Sequence, residues 1–209
     1  MRRGALLTAG ALSALVTGPI AGRSDAHARW RIDEINDSLA RPDTNSRARP
    51  SQDPDEDEHR DAAIHELRKR RLTVPVQGVT RGVLRDTFRE RRGGDRQHEA
   101  MDILAARDTP VLAVEDGSIA KLFLSKPGGI TIYQFDPSQT YAYYYAHLAR
   151  YADGLRERAR VERGQVIGFV GTSGNAPPDT PHLHFAIFEL TPQKHWWQGT
   201  PIDPYPVLK

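Results

Sequence analysis

The 209-residue sequence contains no cysteine. This absence excludes disulfide scaffolds, thiolate zinc sites and cysteine nucleophiles, so a bound metal would depend on His, Asp or Glu. Eight histidines are available for that role.

The sequence also lacks an excess of either charge: the net charge is +2, and the chain without residues 1–28 is formally neutral. The sequence therefore gives no support for a nucleic-acid partner, which would need a concentrated basic face.

Long hydrophobic runs are equally scarce, and the one present is at the N-terminus. Residues 4–22 are uncharged and mostly apolar or small; Arg2 and Arg3 precede them, and Ala26-His27-Ala28 follows as a small-x-small cleavage pattern. This arrangement predicts a secretory signal over residues 1–28 and a location in the periplasm or cell envelope. The alternative is an uncleaved membrane anchor formed by residues 4–22, which would be the chain's only membrane contact.

Residues 29–72 contain ten Lys or Arg, eleven Asp or Glu, and Trp30 as the single aromatic residue. Such a composition predicts a charged linker that is largely disordered or forms a short helix. The acidic run at 55–58 and the basic run at 68–71 have the polarity that a helix dipole favours. The folded domain is expected to begin at residue 73 and to extend to residue 209.

After residue 73 the chain alternates short β-branched or aromatic runs with turn residues, which predicts a mainly β domain built on an antiparallel sheet with long loops. Strands are expected at 111–115, 118–124, 130–135, 140–148, 165–170 and 182–188. Asp116-Gly117 predicts a tight hairpin between the first two strands, and residues 136–139 predict a turn between the third and fourth.

Four histidines and one aspartate in this region have spacings typical of a metal site. His98 and Asp102 are four residues apart, His147 ends a tyrosine-rich strand, and His182 and His184 flank Leu183. Because strand side chains alternate between faces, His182 and His184 must project to the same side. A catalytic zinc site uses three protein ligands, so His98, Asp102 and one of the paired histidines would suffice. Two imidazoles would then remain for acid–base chemistry or oxyanion stabilisation.

These motifs resemble the lysostaphin-type, or LytM-like, zinc metallopeptidases of bacterial cell walls. The resemblance is carried by HxxxD at 98–102, Tyr-Ala-His-Leu at 145–148 and His-Leu-His-Phe at 182–185, and it extends from about residue 72 to residue 208. It implies a LytM-like, duplicated-hybrid-motif fold. It also implies a zinc-dependent endopeptidase that hydrolyses the peptide stems or cross-bridges of peptidoglycan. Ala100 departs from the glycine that is usual in the HxGxD motif.

The resemblance also assigns residue roles. His98, Asp102 and His184 would bind one Zn²⁺, His182 would be the base that acts on a water molecule, and His147 would hydrogen-bond that water or the oxyanion. Alternating side chains further place Tyr143 and Tyr145 on the face of His147, which makes both tyrosines candidates for contact with substrate.

Three alternatives are weighed against this hypothesis. A zincin would need a histidine where Asp102 stands, and a helix around it. A carboxypeptidase of the other HxH zinc family of wall enzymes would space its first His and Asp by seven positions rather than four. A LytM-like regulator that activates a wall amidase without cutting anything itself would typically lack zinc ligands. The adjacent Trp196 and Trp197 are interpreted as closing a hydrophobic edge rather than stacking on sugar rings.

Overall fold

A computed structural model describes residues 54–92 and 96–209. The expected signal segment and the first part of the expected linker lie outside these residues. Within the described ranges, no helix is both long enough and apolar enough to cross a membrane.

The described chain is a succession of short strands with one helix before and one after them. The two α-helices are α1 (Pro54–Lys69) and α2 (Pro204–Leu208), and a short 3₁₀ turn spans Arg81–Val83. The strands are β1 (Arg91–Arg92), β2 (Arg96–Gln97), β3 (Met101–Leu104), β4 (Pro110–Leu112), β5 (Gly117–Ser125), β6 (Gly129–Phe135), β7 (Tyr141–Tyr151), β8 (Arg160–Val161), β9 (Val166–Val170), β10 (His182–Leu190) and β11 (Gly199–Ile202).

Nine of these strands form one sheet, with the central order β11-β10-β7-β6-β5-β8. Strand β3 also pairs with β10, and β9 joins β4 to β7. Every pairing is antiparallel. The predicted mainly β, antiparallel fold is therefore confirmed. Strands β1 and β2 form a separate small ribbon directly before His98.

One predicted hairpin is wrong. Strand β4 pairs with β9, and β5 pairs with β6 and β8, so Asp116-Gly117 does not join two paired strands. Gly117 instead lies so close to β6 that a Cβ there would be 2.1 Å from the carbonyl oxygen of Phe135. The glycine permits close strand packing rather than a tight turn. The second predicted turn does connect the antiparallel pair β6 and β7.

The core includes residues from before the expected domain boundary at residue 73. Ala63 and Leu67 of α1 and the following Leu72 are buried among the sheet's apolar side chains. The packed unit therefore begins within α1. The sequence predicted a later start of the folded domain, because these three buried residues lie in a segment in which charged residues predominate.

Arg70 attaches the end of α1 to the sheet through buried charges. Its Nη1 lies 2.9 Å from Asp136 Oδ2 and 3.2 Å from Glu115 Oε1. Tyr143 donates a hydrogen bond to the same Glu115 carboxylate. The Asp136 side chain is fully buried and that of Glu115 is 8% exposed. One guanidinium thus compensates two carboxylates that solvent cannot reach.

Replacing Arg70 with methionine is expected to destabilise the fold by about 3–5 kcal/mol, because two buried carboxylates lose their cation. For a domain of this size the loss corresponds to a fall in Tm of roughly 6–20 °C. Thermal and urea unfolding followed by circular dichroism would measure it. The matched control is Lys69→Met, since Lys69 is 62% exposed and its ion pair with Glu66 spans 3.9 Å. Equal stability of the two variants would contradict the structural role of Arg70.

The effect of Arg70 should also depend on pH. Burial alone would raise the pKa of Asp136, but hydrogen bonds from Ser138, the Tyr141 amide and Arg70 lower it. A carboxyl whose pKa is lowered by folding stabilises the protein above its ordinary pKa of about 3.9 and loses that contribution at lower pH. The difference between wild type and Arg70→Met is therefore expected to be full at pH 7 and to shrink below about pH 4.

Candidate metal centre and surrounding imidazoles

The pairing of β3 with β10 sets Asp102 directly opposite His184. Opposed residues of an antiparallel pair project to the same face, so the carboxylate and the imidazole meet above the sheet. His98 reaches the same point from the end of β2. The structure thus brings together the HxxxD motif and the second histidine of the HLH motif, as a group whose donor atoms all lie within 4.8 Å of one another.

The three donor atoms form a nearly equilateral triangle. His98 Nε2, Asp102 Oδ1 and His184 Nδ1 are separated by 3.0 Å along each side. Tetrahedral ligands at about 2.0–2.1 Å from a zinc ion would be about 3.3–3.4 Å apart, so only a small expansion is needed to admit the ion. Two ring nitrogens and one carboxylate oxygen are also the donor types that zinc binds when cysteine is absent. The residues present therefore fit a metal ion.

Thr87 orients two of these donors, although sequence reasoning did not identify it. Its carbonyl oxygen lies 3.0 Å from His98 Nδ1, and its hydroxyl accepts a hydrogen bond from the Asp102 amide at 3.0 Å. The first contact makes Nδ1 the protonated nitrogen of His98 and leaves Nε2 free as a donor to metal. Thr87 lies 11 residues before His98, and no local motif marks it.

The electrostatics of the group favour an ionised carboxylate beside the neutral form of His184. Burial alone would raise the pKa of Asp102, but hydrogen bonds to His184 and His98 hold that pKa well below its usual range. Burial lowers the pKa of His184. The centre is thus ready to bind a cation without first losing a proton from the aspartate.

His147 reaches the centre only because β7 is irregular. Ile132 pairs with Tyr145 and Ile130 pairs with Leu148, so β7 has one extra residue between these positions. His147 has the left-handed φ of 59°, which is uncommon for a residue other than glycine. The bulge turns the imidazole towards the paired histidines, and its ring centroid is 5.0 Å from that of His182 and 5.5 Å from that of His184.

The same bulge overturns the expected faces of β7. Ala146 pairs with His184 and Tyr144 pairs with Ala186, so the regular positions on the His184 face are Ala146 and Tyr144. Tyr143 and Tyr145 point to the opposite face and are fully buried. Tyr143 donates to Glu115, and Tyr145 donates to Gln134 Oε1 at 2.7 Å. Their predicted contact with substrate is wrong, because strand alternation does not extend through a bulge.

His182 and His147 are held in the same way. His182 Nδ1 lies 2.8 Å from the carbonyl oxygen of Thr180, and His147 Nδ1 lies 2.8 Å from that of Ser173. Each contact requires a proton on Nδ1, so Nε2 of each neutral ring is an acceptor. His182 Nε2 is 3.8 Å from Asp102 Oδ1. Burial and the neighbouring His184 lower the pKa of His147 to about 4, so this ring is neutral at pH 7.

Two glycine-containing loops cross beside His147 and fix its backbone. The His147 amide donates to the Gly128 carbonyl at 2.8 Å. The Ser173 hydroxyl accepts from the Ile130 amide at 2.9 Å and donates to the Leu148 carbonyl at 2.6 Å. A Cβ on Gly129 would be 2.2 Å from that hydroxyl oxygen, so only glycine fits. Ser173 therefore has a structural role; the glycine-rich run around it was the only sequence signal.

An aromatic row extends across the sheet from the metal centre. Tyr144 lies 6.0 Å from the His184 ring, Tyr133 lies 4.7 Å from Tyr144, and Trp196 lies 4.8 Å from Tyr133, all measured between ring centroids. Trp196 is half-buried in this row, whereas Trp197 is 44% exposed. Trp196 thus closes a hydrophobic edge, and Trp197 leaves one aromatic face open to solvent.

Fold and site together define an antiparallel β-sheet protein with a candidate metal centre and two further imidazoles beside it. The chain matches the sequence pattern of Peptidase family M23 over residues 96–204, just over half of its length. It belongs to that family, and the resemblance inferred from its motifs is confirmed.

Two curated relatives match within the same region. The L-Ala–D-Glu endopeptidase of Bacillus subtilis is 38% identical over 132 residues, which cover 60% of this chain and 39% of the relative. The glycyl-glycine endopeptidase ALE-1 of Staphylococcus capitis is 31% identical over 113 residues, which cover 54% of this chain and 29% of the relative. The match thus spans less than half of either relative.

The fold is similar to that of a solved bacterial peptidase. The catalytic domain of the antimicrobial peptidase lysostaphin from Staphylococcus simulans aligns with a TM-score of 0.51 and 27% sequence identity. The alignment covers 59% of this chain and 89% of that domain. Nearly the whole lysostaphin domain therefore has a counterpart here.

Proposed function

We propose that this protein is an exported, zinc-dependent endopeptidase that hydrolyses amide bonds in the peptide stems or cross-bridges of peptidoglycan. The observation that carries the proposal is the donor triangle of His98, Asp102 and His184 with two further imidazoles beside it. Membership of family M23 supports peptidase chemistry. Export rests on the sequence of residues 1–28 alone.

In this mechanism His98, Asp102 and His184 would hold a zinc ion, which when bound would supply a water molecule of pKa towards about 7 and polarisation of the substrate carbonyl. His182 accepts the proton of the attacking water on Nε2 and later delivers it to the leaving amine. Thr180 fixes the tautomer that this step requires. His147 accepts a hydrogen bond from the same water, since its Nδ1 proton is already bound to Ser173.

The names of the two curated relatives specify different bonds. One is named for a junction to D-Glu, which carries a free carboxylate, and the other for a junction between two uncharged glycines. Both are amide bonds that the proposed mechanism would cleave. The substrate of this protein is therefore proposed at the level of peptidoglycan peptides.

The test is digestion of isolated peptidoglycan by the purified protein, with and without a zinc chelator, followed by mass spectrometry of the released fragments. The expected result is release of peptide-cleaved muropeptides that stops with chelator and returns with added zinc. The new amino terminus identifies the bond. His184→Ala is the matched control for contaminating hydrolases.

One outcome would redirect the proposal. Stoichiometric zinc without any cleavage would contradict the endopeptidase and favour the alternative, a regulator that activates a cell-wall amidase. Adding a purified wall amidase to the same digestion tests it, because a regulator would increase release by the amidase and produce no new peptide cleavage of its own.

A further inference from the structure

Arg92 touches the candidate metal centre but is not one of its donors. Its Nη2 lies 2.5 Å from Asp102 Oδ2 and 3.2 Å from each ring nitrogen of His98. The contacted carboxylate oxygen is the one that does not face His184. A positive charge therefore adjoins the donor triangle from outside.

The small β1–β2 ribbon fixes the position of this arginine. Arg92 pairs with Arg96, and His98 follows the ribbon immediately. Beyond the paired residues, the amide of His98 donates to the Glu90 carbonyl at 2.9 Å. The ribbon thus holds Arg92 and leads directly into His98, so the distance between the guanidinium and this imidazole depends on the backbone of the ribbon.

Most of the hydrogen-bonding capacity of Arg92 is unused. A guanidinium has five N–H donors, and all contacts of this one within residues 54–92 and 96–209 involve Nη2. Nε and Nη1 have no partner there, and the side chain is 42% exposed. Both bidentate edges of a guanidinium include Nη2, which already contacts Asp102, so the unpartnered Nη1 or Nε can donate a single charge-assisted hydrogen bond to a further carboxylate.

The distance to His98 limits where that carboxylate can be on the substrate. Nη2 is 3.2 Å from His98 Nε2, a corner of the donor triangle. Consecutive Cα atoms are about 3.8 Å apart, so a carboxylate bound by Arg92 is expected on a residue at the scissile bond. Two carboxylates contact Arg92, those of Asp102 and of Glu90 at 3.5 Å, and a metal dication together with Arg92 outweighs their two negative charges, which favours a negatively charged substrate.

We propose that Arg92 determines specificity by binding a free carboxylate on the substrate residue at the scissile bond. The proposal rests on the proposed function and narrows its substrate class. The protein would prefer junctions of the stem peptide that carry a carboxylate over amidated junctions and over uncharged glycine cross-bridges.

The test uses two peptides that differ only at the residue following the scissile bond, where one has a free carboxylate and the other the isosteric carboxamide. Wild type is expected to cleave the acid with a kcat/KM about 10- to 100-fold higher, the effect of a charge-assisted hydrogen bond. Arg92→Gln should lose this preference by losing rate on the acid, and Arg92→Lys should restore part of it. Arg91→Gln is the matched control, since this neighbour is exposed and should leave the preference intact.

Two further measurements distinguish recognition of the substrate carboxylate by Arg92 from a role of Arg92 that is limited to positioning Asp102. The first is zinc content, which Arg92→Gln should leave at one ion per chain. The second is calorimetric binding of the two peptides to metal-free protein, where only the acid should depend on Arg92. Equal losses on both peptides, together with weakened zinc binding, would overturn the proposal. Arg92-dependent binding of the acid without hydrolysis of either peptide or of peptidoglycan would uphold the carboxylate site and refute the endopeptidase.

Discussion

Replacing His184 with alanine is expected to remove bound zinc and peptide hydrolysis together. The variant leaves only His98 and Asp102, and two protein ligands are fewer than the three that catalytic zinc sites use. Asp102→Ala and His98→Ala should behave alike, because the three donor atoms are equally spaced at 3.0 Å. Zinc is expected to fall below about a tenth of an ion per chain, and activity to fall more than about a thousandfold.

The measurement pairs metal analysis of dialysed protein with the rate of muropeptide release. His195→Ala is the matched control, since His195 is exposed, stacks on Trp197 and lies outside the donor triangle. It tests whether any loss of a histidine reduces zinc through nonspecific binding. Full zinc occupancy and turnover in His184→Ala would show that the metal, if required, binds elsewhere.

Thermal stability distinguishes a loss of zinc binding from misfolding of a variant. Because a bound ligand stabilises the folded state by mass action, wild type should gain thermal stability on zinc addition, whereas the three donor variants should not. The unfolding midpoints of all four proteins without metal should be similar, since none of the donor residues belongs to the apolar core. A variant that unfolds far earlier than metal-free wild type would not report on zinc binding.

The meeting of the candidate metal donors was predictable because it depends on regular structure, whereas the choice of His184 over His182 came from the family resemblance. HLH on a strand places both histidines on one face whatever the rest of the chain does. The HxxxD motif then only has to lie beside that strand for its side chains to meet the histidines, and the pairing of β3 with β10 brings it there. Most strands after residue 116 were also predictable, since their alternation is interrupted by clear turn residues.

The remainder depends on irregular backbone or on contacts distant in sequence. A bulge and a left-handed φ determine to which side of β7 the His147 side chain projects, and no local sequence pattern predicts either feature. Gly117 follows an aspartate as a hairpin glycine would, but its lack of a side chain instead allows its strand to pack closely against the backbone of Phe135. Thr87 and Arg92 reach the centre through contacts with residues 6 to 15 positions away along the chain, and neither belongs to a motif with a defined spacing.

Changing His147 or His182 is expected to spare zinc and reduce the rate. Neither ring belongs to the donor triangle, and both lie beside it, since His182 Nε2 is 3.8 Å from Asp102 Oδ1 and the His147 ring is 5.5 Å from the His184 ring. Removing a general base costs about 10²- to 10⁴-fold, so kcat should fall in that range while zinc stays at one ion per chain. Steady-state kinetics on a defined stem peptide, together with metal analysis, would measure both.

The choice of replacement at residue 147 matters because its backbone is left-handed. Alanine there would add strain to the loss of the imidazole, whereas asparagine tolerates this conformation better than most residues. His147→Asn should therefore keep the wild-type unfolding midpoint, and its loss of rate can then be attributed to chemistry. For His182, which is in regular strand, glutamine suffices as the replacement.

The double variant His147→Asn/His182→Gln distinguishes shared from independent action. The two rings lie 5.0 Å apart, close enough to bind the same water molecule. If both act on one proton, the second substitution removes little that the first has not already removed, and the double variant should be about as slow as the slower single variant. Multiplicative losses would instead assign the two rings to separate steps. Retained turnover in either single variant would eliminate that residue from the mechanism.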